Sequence, residues 1–240
     1  MATTETPWSG DTANKLYLQS GQFSATLKTS LDVGGVDIQV RGIEWDSTNS
    51  PWIGAEAIKL YLQSGKFSST LKTSLDVSGI AGATFGISWD GVNTPWTKES
   101  PKLFLTSGQF SATLKTSLDV SGIAGVCRGM SSDGTNTPWC GDNTDKLFLQ
   151  SGQFSATLKT SLDVSGVVAT ASGISFDGTN TPWCGRGDDK LYLQSGQFSA
   201  TIKTSLSITA VDTAPTGITT DDINSRLGTA SAFTPTAVIF

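Results

Sequence analysis

The chain has 240 residues, of which 15% are charged, against about 25% in an ordinary soluble domain. Its net charge of −5 argues against a nucleic-acid partner, because binding a phosphate backbone requires a concentrated basic face. Histidine is absent, which excludes Ser-His-Asp triads, histidine general bases and the commonest metal ligand, and no cofactor is expected.

Residues Met1 to Trp8 carry neither the basic nor the apolar region of a secretory signal, so synthesis without a signal peptide is expected. Thr6-Pro7-Trp8 predicts a short strand whose proline needs a strand start or a position without a ladder N–H. Lys15-Leu16-Tyr17-Leu18 predicts the next strand, and Ser20-Gly21-Gln22 a hairpin turn. From Phe23 onward Phe23, Ala25, Leu27, Leu31 and Val33 fall on one face, and Ser24, Thr26, Lys28, Ser30 and Asp32 on the other. That alternation predicts a half-buried strand over 23–33. Gly42-Ile43-Glu44-Trp45-Asp46 predicts a further strand.

These segments then recur. The counterparts of Lys15 are Lys59, Lys102, Lys146 and Lys190, at spacings of 44, 43, 44 and 44 residues. Trp8 recurs as Trp52, Trp96, Trp139 and Trp183, and Gly42 as Gly86, Gly129, Gly173 and Gly217. Four short antiparallel strands in each repeat of this length predict a propeller blade. In each blade, strand a is Gly-Ile-x-x-Asp, b the Pro-Trp segment, c the Lys-Leu segment, and d the strand after the hairpin.

The chain ends are complementary. No strand a precedes Trp8, and the strand a at 217–221 has no strand b after it. The expected fold is therefore all-β, a five-bladed β-propeller of four-stranded antiparallel blades, closed by pairing of the C-terminal strand (217–221) with the N-terminal strands. Blade one takes 217–227 and 1–41, and blades two to five take 42–85, 86–128, 129–172 and 173–216. Residues 228–240 fall outside the repeats and are expected to be a tail packed on the ring, or an arm for self-association or for another virion subunit. With no apolar run near the ~20 residues of a membrane helix, membrane insertion is not expected.

Pro215-Thr216-Gly217-Ile218-Thr219-Thr220-Asp221 and the run from Gly173 to Asn180 resemble the opening of NHL-type propeller repeats. The Lys-Leu-Tyr-Leu-x-Ser-Gly-x-Phe segment resembles the outer hairpin of that repeat, and the Asp-Gly-x-x-x-Pro-Trp segments echo an Asp-box. Near-identical repeats of this kind are similar to those of phage and environmental propeller proteins, and five-bladed rings of this size include tachylectin-type lectins. The resemblance implies a propeller scaffold. Lyases and lactonases on NHL-like propellers generally use histidine, so the resemblance does not carry their chemistry here, and no enzyme is expected.

The candidate ligand-binding residues are Trp8, Trp52, Trp96, Trp139 and Trp183, read either as a sugar-stacking platform or as inter-blade packing. Asn49, Asn93, Asn136 and Asn180 join them from the a–b turns. Asp46, Asp90, Asp133, Asp177 and Asp221 read as turn-formers, with a ring of Ca²⁺ ligands as the alternative. Lys28, Lys72, Lys115, Lys159 and Lys203 read as charges protecting an outer edge strand. Cys127, Cys140 and Cys184 lack metal-site spacing and are expected to be free thiols. The b–c loops (10–14, 54–58, 98–101, 141–145 and 185–189) differ between copies and are where recognition would be placed.

The expected function is a non-enzymatic, multivalent binding module for a glycan or surface receptor on a virion or cell surface, released by lysis. The alternatives are a purely structural virion component, and an amplified or designed repeat scaffold without a ligand.

Overall fold

A computed structural model describes residues 5–220 apart from 11, 12, 55, 66, 81 and 143. The chain opens with β1 (Thr6–Gly10), β2 (Lys15–Gln19) and β3 (Leu27–Asp32). A second blade follows as β4 (Val40–Ile43), β5 (Ser50–Gly54), β6 (Lys59–Gln63) and β7 (Leu71–Asp76). The third is β8 (Thr84–Ile87), β9 (Thr94–Lys98), β10 (Lys102–Thr106) and β11 (Leu114–Asp119). The fourth is β12 (Val126–Met130), β13 (Thr137–Asp142), β14 (Lys146–Gln150) and β15 (Leu158–Asp163). The fifth is β16 (Ala171–Ile174), β17 (Thr181–Gly185), β18 (Lys190–Gln194) and β19 (Ile202–Ser207), and β20 (Pro215–Ile218) ends the described chain.

Each blade is a four-stranded antiparallel sheet, and the first has the order β20-β1-β2-β3. The expected closure is present. In the β20–β1 pair Trp8 lies opposite Ile218, Ser9 opposite Gly217 and Gly10 opposite Pro215. Two half-repeats thus share one hydrogen-bond ladder, and β1 is paired on both sides. The last expected turn (222–227) and the tail (228–240) lie outside the described residues.

The core sits between blades. Leu16, Leu31 and Val33 of blade one pack with Trp52 and Tyr61 of blade two. The closing interface has the same composition, with Leu191, Leu206 and Ile208 of blade five against Trp8 and Tyr17. Each tryptophan also stacks on the aromatic residue opposite it in strand c, from 4.1 Å (Trp8–Tyr17) to 4.5 Å (Trp96–Phe104) between ring centroids.

At the axis the inner strands approach one another through glycine. A Cβ on Gly86 would lie 2.6 Å from the Arg128 carbonyl oxygen, and one on Gly129 would lie 2.7 Å from the Gly173 Cα. One on Gly217 would lie 2.8 Å from the Gly42 Cα. Only residues without a side chain let five strands meet this closely, which is why Gly42, Gly86, Gly129, Gly173 and Gly217 recur in register.

Two expected strands differ from those found. Inner strands begin two or three residues before their glycine and end at the following Ile or Met, so the x-x-Asp portion belongs to the a–b turn. The outer strand spans Leu27–Asp32 and not 23–33, and along it only Leu31 is buried. Phe23 sits in the turn at φ 54°, with φ between 53° and 59° at Phe67, Phe110, Phe154 and Phe198. A left-handed conformation costs a bulky residue roughly 1–2 kcal/mol. Insertion of the ring into the inter-blade core offsets that cost, as for Phe23 beside the Trp8 cluster. Alternation alone could not reveal the change of direction.

Because the strands alternate in direction, the a–b and c–d turns lie at one end of every blade and the b–c and d–a loops at the other. These ends are the turn face and the loop face.

Candidate functional site

The tryptophan platform is corrected by burial. Trp8, Trp52, Trp96, Trp139 and Trp183 are each 0% exposed, covered by the adjacent blade and by their strand-c aromatic partner. No face of these rings is open to a sugar. They are the packing element of each interface.

Asn49, Asn93, Asn136 and Asn180 are also buried, and the structure assigns their polar atoms to the fold. Asn49 Nδ2 donates to Asp46 at 3.2 Å, and Asn49 Oδ1 accepts from the Gly65 N–H of the c–d turn at 3.4 Å. The other three repeat this bridge, to Gly108, Gly152 and Gly196. The aspartates act as turn-formers. Asp46 Oδ1 accepts from the N–H groups of Thr48 and Asn49, and Asp90 from those of Val92 and Asn93. Their other oxygen joins blades, since Gln22 donates to Asp177, Gln109 to Asp46 and Gln197 to Asp133. Asp221 lies outside the described residues. The turn face is a belt of repeated contacts.

The three cysteines are buried and free. Cys140 Sγ accepts from the Gly129 N–H at 3.1 Å, and Cys184 Sγ lies 3.4 Å from the Ser172 hydroxyl. Small side chains are needed there because the next inner strand passes close by. Burial pushes the Cys127 and Cys184 thiols up to about 12, and that of Cys140 also upward, so they stay protonated and are poor nucleophiles.

The loop face differs from blade to blade. Asp212 accepts from Tyr17 Oη at 3.2 Å, and Asp37 from Tyr61 Oη at 3.4 Å. Burial and the neighbouring carboxylate push Tyr17 upward, and push Tyr61 up to about 12. Blade five reaches the same contact by another route, with Tyr192 Oη donating to Asp188 of its own b–c loop. The Asp188 carboxyl is raised, mainly by burial. Asp188 of the Arg186-Gly187-Asp188 sequence is thereby engaged within the fold.

Where the loop face meets the axis, the residues immediately before the inner glycines form a ring of Arg41, Phe85, Arg128, Ser172 and Thr216. With Arg186 from the fifth b–c loop they line a shallow depression. The guanidinium carbon of Arg41 stands 4.7 Å from the Phe85 ring centroid and that of Arg128 stands 4.3 Å from it. Phe85 is 5% exposed and serves as the fixed surface on which both guanidiniums rest. The Ser172 hydroxyl donates to the Pro215 carbonyl and that of Thr216 to the Val40 carbonyl, both at 2.9 Å, so the remaining wall is made neutral by backbone contacts.

The sequence reading did not single out Arg41, Phe85 or Arg128. A signal was present, because the chain has only four arginines and two of them occupy the same repeat position before an inner glycine.

No protein-family model and no curated protein matches this sequence. Among solved structures, a chain of the nidogen/laminin complex superposes with a TM-score of 0.64 over 91% of this chain and 98% of that one, at 12% identity. A glutaminyl cyclase from Myxococcus xanthus gives a TM-score of 0.51 at 10% identity, covering 75% of this chain and 69% of that one. A protein of unknown function from Bacteroides caccae gives 0.52 at 10% identity, covering 86% and 74%. At such identities the likeness is one of fold, and this chain is a repeat protein of β-propeller architecture.

Proposed function

We propose that the chain is a non-catalytic binding module whose rigid ring presents its loop face to a glycan or receptor on a virion or cell surface. One observation carries this reading. The copies diverge in the b–c loops and scarcely in the c–d turn. The c–d turn reads Ser-Gly-Gln-Phe-Ser-Ala-Thr in four of five blades, although Ser20, Gln22, Ala25 and Thr26 of the first are exposed. The b–c loops all differ between blades, and the ring before the inner glycines holds Arg, Phe, Arg, Ser and Thr. Exposure by itself therefore does not release a position from copying, and the divergent face is the one that carries distinct chemistry.

Burial of the five tryptophans removes the platform for five equal sites, so the reading becomes one composite face in place of multivalent repetition. A non-catalytic role is supported by the lack of histidine and by the burial of every thiol. Among the described residues no group of three or more Cys, Asp or Glu is gathered as a metal site. A glycan array probed with the full chain tests the proposal. Captured glycans should be lost when 185–189 is replaced by a Gly/Ser linker of equal length, and a blank array sinks the glycan reading.

A second reading, a structural assembly unit, is favoured by the outer strands. Leu27-Lys28-Thr29-Ser30 is exposed yet copied unchanged in four blades, with Ile202 replacing the leucine in the fifth. Each such strand offers an open ladder edge to a neighbour. Light scattering across a concentration series, with and without 228–240, checks it; a monomer throughout removes it.

A further inference from the structure

We infer that the outer strands of blades two, three and four are self-association edges, each pairing antiparallel with the outer strand of a second copy of this chain. The inference rests on the second reading above, an assembly unit, and assigns it a partner, a register and a polarity.

The ladder fixes where each backbone group points. In blade two Lys59 lies opposite Asp76 and Leu60 opposite Leu75, a register that sets Ile58 opposite Val77. The Val77 N–H donates to the Ile58 carbonyl, so these two form a hydrogen-bonded pair. Such pairs alternate along an antiparallel ladder, and Leu75 and Thr73 therefore also turn their N–H and C=O toward strand c. Ser74 and Asp76 turn theirs outward. The same inward bond runs from Val120 to Pro101 and from Val164 to Asp145, which places Ser117 and Asp119, and Ser161 and Asp163, alike.

The side chains along this edge are complementary to themselves. Leu71-Lys72-Thr73-Ser74-Leu75-Asp76 recurs unchanged as 114–119 and 158–163, and only its second leucine is buried. In a two-fold antiparallel pair centred on Ser74, the outward N–H and C=O of Ser74 exchange bonds with those of the second copy's Ser74. Lys72 then stands opposite the second copy's Asp76, and Asp76 opposite its Lys72. Sliding the second copy by two residues puts each charge opposite an uncharged residue. Sliding it by four sets lysine against lysine or aspartate against aspartate. One register therefore meets both the backbone and the charge requirement.

A lysine on an edge strand discourages a strand of arbitrary sequence, which offers its ammonium no partner. Asp76, four residues on, answers it only when the arriving strand carries the same pair in the opposite direction. The edge thus rejects other strands and admits its own copy.

Lys72, Lys115 and Lys159 form no ion pair among the described residues, whereas Lys28 of blade one is held by Glu5. Asp76 accepts from the Ser78 N–H at 2.9 Å and faces Lys59 across its own sheet, yet a carboxylate has acceptor sites for a further donor. Leu71, Leu114 and Leu158, 39–40% exposed, flank the edge and lose contact with water when a second strand lies beside them. Blade five departs from the pattern, because Ser207 replaces the aspartate and leaves Lys203 unmatched. Since the paired strand runs the opposite way, the neighbouring ring sits inverted, its loop face beside the turn face. A ring joined through blade two still presents blades three and four, so association continues past a dimer.

The experiment is sedimentation velocity of the full chain over a concentration series. The parent chain should grow with concentration to more than twice its 25.1 kDa. Lys72→Glu/Lys115→Glu/Lys159→Glu sets like charges opposite one another and should weaken association by about tenfold or more. Asp76→Lys/Asp119→Lys/Asp163→Lys should do the same, and mixing the two variants should restore association, because every facing pair is then of unlike charge. Ser74→Pro/Ser117→Pro/Ser161→Pro removes outward N–H groups without breaking a bond of its own sheet, and should also block association. Thermal midpoints near the parent's establish that each variant is folded, and the exposed lysine set decides the matter if another set is not. A parent chain that stays monomeric overturns both this inference and the assembly reading. Association that the folded variants retain, that mixing does not restore, or that deletion of 228–240 abolishes overturns the inference and leaves the assembly reading standing.

Discussion

Tyr17 Oη donates a hydrogen bond to Asp212 Oδ2 across 3.2 Å, joining the first complete strand pair of the chain to the loop that leads into its last described strand. Tyr61 and Asp37 make the same contact between blades one and two. Where strand c carries phenylalanine, at Phe104 and Phe148, the equivalent loop residue is Ala81 or Ala124. Hydroxyl and carboxylate thus appear together or are replaced together, as expected when a buried polar group must keep a partner.

This pairing sets the first prediction. Asp212 is 4% exposed, so Tyr17→Phe removes a donor from a buried carboxylate and should destabilise the chain by about 1–3 kcal/mol. The double variant Tyr17→Phe/Asp212→Ala imitates blade four and should lose less than the sum of the two single losses. Urea denaturation of the four members of the cycle measures the coupling. Strict additivity would mean that the contact is incidental.

The axial glycines give a second prediction. In Gly86→Ala the new methyl meets backbone atoms of the next blade at 2.6–2.9 Å, and backbone cannot swing aside. Overpacking of this kind typically costs about 1–3 kcal/mol. Gly79→Ala places its methyl in open space, with nothing within 4 Å, and should be neutral or slightly stabilising. Thermal midpoints of the two variants should therefore diverge; a shared midpoint would contradict the close axial approach.

Trp52→Ala should cost about 3–5 kcal/mol, since a fully buried indole stacked at 4.3 Å on Tyr61 is lost from the interface between blades one and two. Acrylamide quenching tests the burial directly. Trp45 and Trp89 are partly exposed and should be quenched, whereas the five buried tryptophans should resist. Uniform quenching of all seven would reverse the packing assignment.

The thiols and buried phenols predict an alkaline limb of instability. Burial raises Cys127 and Cys184 from 9.0 to about 12 and Tyr61 from 10.0 to about 12 in the folded chain. Between the two sets of values the unfolded chain has released protons that the folded chain retains. The unfolded state binds fewer protons there, so stability falls as pH rises from about 9 to about 12. Asp76, Asp119 and Asp163 act at the other end, held below the usual carboxylate range first by the hydroxyls of Ser78, Ser121 and Ser165. Their contribution is present above the unfolded value near 3.8 and is lost as pH falls below it. A urea midpoint measured from pH 3 to pH 11 should peak between these limits. Ellman's reagent should label no cysteine in the native chain and all three after denaturation.

Much of the fold was legible because the repeat is nearly exact. The spacing of Lys15, Lys59, Lys102, Lys146 and Lys190 implied the number of blades, and the complementary half-repeats implied closure. The outer strand was misread because alternation records which residues are apolar and does not record whether a neighbouring sheet covers them. Leu27 falls on the expected apolar face yet is 38% exposed, for no blade lies outside it.

The sequence by itself determined the five-blade ring and the recurrence of one tryptophan and one strand-a glycine per repeat, since these follow from periodicity. Only the tertiary structure decided whether Trp52 faces a ligand or a neighbouring blade, because burial depends on what packs across the interface. It alone also brought Arg41, Arg128 and Arg186 to one mouth. These residues lie in separate repeats with no local pattern connecting them, and their meeting is a consequence of the rotation that closes the ring.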